Sequence, residues 1–233
     1  MKKILIISIL ILSVFLIYLT TLDKKVYYLA LGDEIALGMT SSGYYKKNYT
    51  EYIKEYLELK NKLETYVDDY KTQGYRITDI INDINNNKEI EDTSKTIKNA
   101  LIKADLVTIS IGTNDIISKI ENINKIKNID YNNLYKSIEA ISNDLEKLLQ
   151  LLREYCKEDI ILVGIYINTD NEKINQIIKI ANEKFKLICE KYNINYIDQY
   201  EILSSNEYMY PTEKDHEIIS ASIIDIIDTN LLN

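Results

Sequence analysis

Hydrophobic and polar positions divide the chain into an uncharged leading stretch and a long alternation of strand-like and helix-like segments. Residues 4–22 carry no charge and are almost wholly apolar, with Lys2 and Lys3 in front of them. As a helix this stretch would span ~28 Å, close to the hydrocarbon thickness of a bilayer. Residues 26–31 then form a short apolar run that stops at Gly32. Residues 50–63 place Ile53, Tyr56, Leu57 and Leu59 at helical spacing, with Thr50 as the expected N-cap. Residues 66–70 read as a weak strand, followed by a turn at Gly74 and a helix from Thr78. Residues 93–104 are helical, and 106–111 form a β-branched run ended by Gly112. A long amphipathic helix fills 133–155, and 160–167 is the strongest strand pattern. Residues 171–192 are helical again, 195–197 a short strand, and Pro211 is expected to open a last helix reaching Leu231.

The strand runs are continuously apolar rather than alternating, which indicates a parallel sheet covered by helices on both faces. In such α/β folds the ligand site lies at the carboxyl ends of the strands. Asp33-Glu34, Gly74 and Gly112-Thr113-Asn114-Asp115 all fall there. No linker or repeat divides the chain after the leading stretch, so a single domain is expected over 26–233, preceded by a segment over 1–25.

Composition narrows the function. The chain has 233 residues, 46% hydrophobic, with a formal net charge of -8. No basic stripe dominates, which argues against nucleic acid as partner. The abundance of Ile, Lys, Asn and Tyr fits an AT-rich bacterial genome. Two cysteines and a single histidine give no zinc constellation, and no metal or cofactor is implied. Cys156 and Cys189 each end a helix before a strand. They read as small buried hydrophobes, with a disulfide between them as the alternative. The leading stretch ends in Tyr18-Leu19-Thr20-Thr21-Leu22-Asp23, without a small-residue cleavage site or a lipobox cysteine. It therefore reads as an uncleaved single-pass anchor, a cleaved signal peptide being the alternative. The lysines ahead of it put the N-terminus in the cytoplasm and the domain outside the cell membrane, although Lys24 and Lys25 on the far flank oppose that bias.

The stretch "LALGDEIALG" (29–38) and the blocks after it resemble the SGNH, or GDSL-type, hydrolases, a family of esterases, lipases and acylhydrolases. The family's Gly-Asp-Ser block stands here as Gly32-Asp33-Glu34. Its second-block glycine is matched by Gly74, and its Gly-x-Asn-Asp block by Gly112-Thr113-Asn114-Asp115. Its final Asp-x-x-His block falls on "NEYMYPTEKDHEII", which puts Glu207 and Tyr210 at the Asp and His positions, with Pro211 following. The resemblance implies a three-layer α/β/α sandwich around a flavodoxin-like, five-stranded parallel sheet. It also implies an oxyanion hole built from Gly74 and Asn114, with Gly32, Asp33, Gly112 and Asp115 as supporting motif residues.

All three triad positions differ from the family's Ser, Asp and His. Glu34 takes the nucleophile position, and a tyrosine with a reference pKa near 10 cannot act as base at neutral pH. A rival reading places Glu213-Lys214-Asp215-His216 at the site, but His216 then lies inside the last helix, where a surface or half-buried ring is expected. The resemblance thus implies a pseudoenzyme that acts by binding an acyl or glycan ligand or a protein partner. An active acyl- or acetyl-ester hydrolase with a rearranged catalytic set and a membrane-tethered protein-binding scaffold are the alternatives. For Glu34 itself the expectation is specific. Its carboxylate should fold back and accept hydrogen bonds from the Gly74 N–H and the Asn114 side chain, filling the hole that the serine chemistry would use.

Overall fold

Tyr28 and Ala30 face one side of the first strand and Leu29 and Leu31 the other, and all four side chains are buried. That two-sided burial is why the strand reads as an unbroken apolar run. The computed structural model describes residues 24–90, 95–124, 131–203 and 208–232. The uncharged stretch 4–22, Glu207 and the start of the helix expected from residue 93 lie outside the described residues.

The sheet has five strands, all parallel: β1 (Val26–Gly32), β2 (Leu63–Lys71), β3 (Leu106–Ser110), β4 (Asp159–Val163) and β5 (Asn195–Ile197). Their spatial order is β2-β1-β3-β4-β5, the flavodoxin-like order. Between them run α1 (Glu34–Leu37), α2 (Tyr49–Leu59), α3 (Ile77–Asn85), α4 (Ile97–Lys103), α5 (Thr113–Asn124), α6 (Tyr131–Tyr155), α7 (Glu172–Lys191), α8 (Gln199–Ile202) and α9 (Glu213–Asn230). Leu29, Leu31, Val107, Ile109, Ile160 and Leu162 pack against α3, α4, α6 and α7. Tyr28, Ala30, Ile161 and Val163 pack against α2 and α9. Cys156 and Cys189 are buried on the first of these faces as free thiols, so the disulfide alternative does not hold.

Several expected boundaries shift for local reasons. Asn48, not Thr50, caps α2: its side chain accepts from the Glu51 N–H, and the Glu51 carboxylate answers the Asn48 N–H. Thr50 instead donates to the Asn48 side chain. The last helix opens on Thr212 in a capping box with Asp215, leaving Pro211 outside it. The 160–167 run leaves the sheet after Val163. Beyond it, Ile165 is held by Asn182, whose side chain accepts from the Ile165 N–H and donates to its C=O. Helices α5 and α8 were not anticipated.

Register brings the site together. Gly32 is paired with Lys71 on one side and Ser110 on the other. Strands β1, β2 and β3 therefore end level, and the loops after them open at one place. Gly32 also has to be glycine. Its φ is +139°, and a Cβ there would sit 2.3 Å from the Ser110 carbonyl oxygen.

Candidate functional site

The chain turns directly out of β1 into α1, and Asp33 caps that helix by accepting from the Ile35 N–H at 3.1 Å. The next side chain, Glu34, is half-buried and folds back across the strand ends. Its Oε1 accepts from the Gly74 N–H at 2.8 Å, and its Oε2 accepts from the Asn114 amide at 2.7 Å. Gly74 adopts φ +79° in the loop after β2. Asn114, in the first turn of α5, donates its second amide hydrogen to the Tyr75 carbonyl at 2.9 Å. Both amide hydrogens are thus committed, and the Glu34 carboxylate sits in a fixed cradle. It is not the solvent-facing helix-start carboxylate that the dipole alone would allow.

Asp115 serves the same loop from below. Its Oδ2 accepts from the Ile77 N–H at 3.1 Å, tying the start of α3 to α5, and burial raises its carboxyl to about 6. Gly112 adopts φ +105° in the turn leading to Asn114, and a Cβ there would press on the Ile165 and Phe185 side chains.

Behind the cradle lies a buried carboxyl. Asp33 is fully buried; its Oδ1 accepts from the Ser110 hydroxyl at 2.9 Å as well as from Ile35, and its Oδ2 has no partner. Burial first, and the adjacent Glu34 charge second, raise this carboxyl to about 7. The Tyr49 hydroxyl lies buried beside Ser110 and Thr108 without a well-formed hydrogen bond. At the mouth, the Tyr45 phenol is pushed up by burial and then by the charges of Glu34 and Asp33.

His216, the described candidate base, makes its ring hydrogen bond away from Glu34. Tyr210 is half-buried against the α2 and α9 face. Its segment is stitched across the strand ends by Ser41 N–H to Pro211 O at 2.8 Å and Asn168 N–H to Met209 O at 3.4 Å. Glu207 is outside the described residues. His216 is fully buried, not half-buried or on the surface. Its Nε2 bonds the Met39 carbonyl at 3.1 Å, which puts the proton on that nitrogen, and its Nδ1 has no partner. Burial lowers its pKa, and the ring stacks on Tyr49 with centroids 6.4 Å apart. Asp215, the carboxylate of the rival reading, is spent on the Thr212 N–H and hydroxyl in the α9 cap.

The GDSL-like lipase/acylhydrolase family model matches residues 30–218. The chain belongs to this family. Among solved structures, the GDSL domain is similar to the lipase Lip_vut3 from a goat rumen metagenome, with a TM-score of 0.71 at 19% identity over 88% of this chain and 99% of that one. It is also similar to Axe2, an acetylxylan esterase from Geobacillus stearothermophilus, with a TM-score of 0.62 at 18% identity over 88% and 95% of the two chains. No curated protein sequence matches the chain. At these identities the two structures speak for the GDSL-family fold. Among the described residues, no helix is long and apolar enough to cross a membrane.

The missed residues are those whose roles arise only in three dimensions. Ser110 holds Asp33 from a neighbouring strand, and Met39 holds His216 from a distant loop. The raised Asp33 carboxyl gives a pH signature. Its folded-state value of about 7 lies above the ordinary 3.8, so the folded state binds the extra proton, and stability falls as pH rises between those values. Asp33→Asn keeps an acceptor for Ser110 and Ile35 but cannot ionise. Urea unfolding from pH 4 to 8 should show the variant gaining on wild type as pH rises through this window. A difference that does not change with pH would contradict the buried, protonated carboxyl.

Proposed function

We propose that the protein is a membrane-tethered, outward-facing GDSL-fold protein that has given up serine-esterase catalysis and works by binding. The observation that carries this reading is the Glu34 carboxylate bonded by both Gly74 and Asn114. Ester hydrolysis by the family route needs those donors free, since they must stabilise the oxyanion that develops on the acyl group. Here an anion already takes them. Hydrogen bonds to a charged group contribute about 1.5–3 kcal/mol each, so an acyl carbonyl displacing both gives up about 3–6 kcal/mol on entry. A carboxylate attacking in place of serine would also form an anhydride, which would itself have to be hydrolysed for turnover.

The general-base role points the same way. Catalytic variants of Axe2 replace a serine, an aspartate or a histidine. The only histidine in this chain is His216, and its proton-bearing nitrogen is tied to Met39. The tether rests on the uncharged stretch 4–22 behind Lys2 and Lys3, with β1 starting only a few residues later at Val26. In that arrangement the strand carboxyl ends, and the Glu34 cradle with them, face away from the bilayer. What the domain retains at that end for an acyl or glycan ligand, or for a protein partner, is the rim at Tyr45.

Two measurements test this. Full-length protein in mild detergent should show no hydrolysis of short p-nitrophenyl esters above a heat-denatured control, and Glu34→Ser alone should not create it. Robust wild-type turnover lost on mutating Glu34 or His216 would show a working hydrolase with a rearranged site. Protease added to intact protoplasts should digest the GDSL domain while the anchor stays with the membrane fraction. Full protection would reverse the orientation, and release of a soluble domain into the medium would show a cleaved signal.

A further inference from the structure

A second hollow lies next to the Glu34 cradle, on the helix side of its loops. It has a volume of about 500 Å³, and Glu34, Gly74 and Asn114 take no part in its walls. Three elements each bring one cation to it: Arg76 just before α3, Lys119 on α5 and Lys136 on α6. Ile141 forms part of its apolar floor. None of the three cations makes an ion pair within the described residues. The hollow's carboxylates are committed elsewhere. Asp144 pairs with Lys147 at 2.8 Å, and Asp115 spends Oδ2 on the Ile77 N–H.

All three cations are exposed and share the wall with Asp115 and Asp144, so three positive charges stand against two carboxylates and the wall attracts an anion. The volume lies within the range of small-molecule sites and exceeds what a bare anion fills. The planar Arg76 fork suits two oxygens of one tetrahedral anion, and the lysines add point charges around it.

We infer that this hollow binds a small phosphorylated molecule, its tetrahedral anion held by Arg76, Lys119 and Lys136 and its organic body lying on the floor at Ile141. The site stands independently of whether Glu34 blocks catalysis. It adjoins the cradle through the loop that carries Gly74 and Arg76, and through the α5 start that carries Asn114 and Asp115.

Asp115 gives the binding a distinctive pH dependence. The charged groups around it are Arg76, Lys119 and Lys136 on the cationic side, Asp144 on the anionic side, and the buried Asp33 at the end of β1, which titrates at about 7. Its carboxyl titrates at about 6, so below that pH the hollow loses a negative charge and an anion binds more tightly.

Isothermal titration calorimetry on the full-length protein in nonionic detergent at low ionic strength tests the inference. Sulfate is the first probe, since its charge is constant across the range, and inorganic phosphate is the second. Saturable one-to-one binding should tighten from pH 7.5 to 5.5. The double variant Lys119→Gln/Lys136→Gln should weaken it by about tenfold or more, as screened charge pairs would. Asp115→Asn should remove the pH dependence. Exposed lysines changed to glutamine leave the fold intact, which a thermal melt of the same sample checks. Unchanged affinity in the double variant, or no saturable binding by wild type up to about 10 mM, overturns the inference. Vesicles of anionic phospholipid form the third arm, with phosphatidylcholine vesicles as control. Binding to anionic vesicles without binding of sulfate or phosphate assigns the patch to a membrane surface and overturns it equally.

Discussion

The Glu34 carboxylate is held by donors from two different strand-end loops, the Gly74 N–H after β2 and the Asn114 amide after β3. Those donors meet only because β1, β2 and β3 finish level, with Gly32 paired to Lys71 and Ser110. The level finish depends in turn on Gly32, whose backbone lies too close to the Ser110 carbonyl for any Cβ. The cradle is therefore a consequence of the sheet. It also fixes its own surroundings, since Asn114 uses its other hydrogen on Tyr75 and Asp115 ties down the start of α3.

The same geometry accounts for two adjacent carboxyl groups with different fates. Glu34 reaches donors and is satisfied on both oxygens. Asp33, one residue earlier, turns inward to Ser110 and the α1 cap and leaves Oδ2 buried without a partner. A second charge in that position would be desolvated and would face the first, and its carboxyl accordingly holds its proton up to about 7. Of the two, Asp33 is the carboxyl that burial and its neighbour drive to hold a proton.

Much of this was legible in the sequence because parallel strands buried on both faces leave continuous apolar runs, and because Gly32, Gly74 and Gly112 mark the turns at their ends. The Glu34 contact was legible because a carboxylate at a strand-to-helix turn has the length to reach donors across one loop. Apolarity, however, reports burial rather than sheet. Ile165 and Ile167 are as buried as the strand before them, yet Asn182 rather than a neighbouring strand satisfies the Ile165 backbone. Capping was misplaced where two candidates stood close together, Thr50 beside Asn48 and Pro211 beside Thr212. In each case the cap fell to the residue with a glutamate or aspartate three positions on. The buried setting of His216 was illegible because its partner, Met39, is far away in sequence and offers only a backbone carbonyl. No side-chain pattern announces such a bond.

The central claim is that Glu34 fills the family's oxyanion hole, and a crystal structure of the domain at near-atomic resolution tests it most directly. The account predicts density for the Glu34 side chain folded across the strand ends, with Oε1 near 2.8 Å from the Gly74 nitrogen and Oε2 near 2.7 Å from the Asn114 amide. A Glu34 side chain turned into solvent, with ordered water on Gly74 and Asn114 in its place, would contradict it.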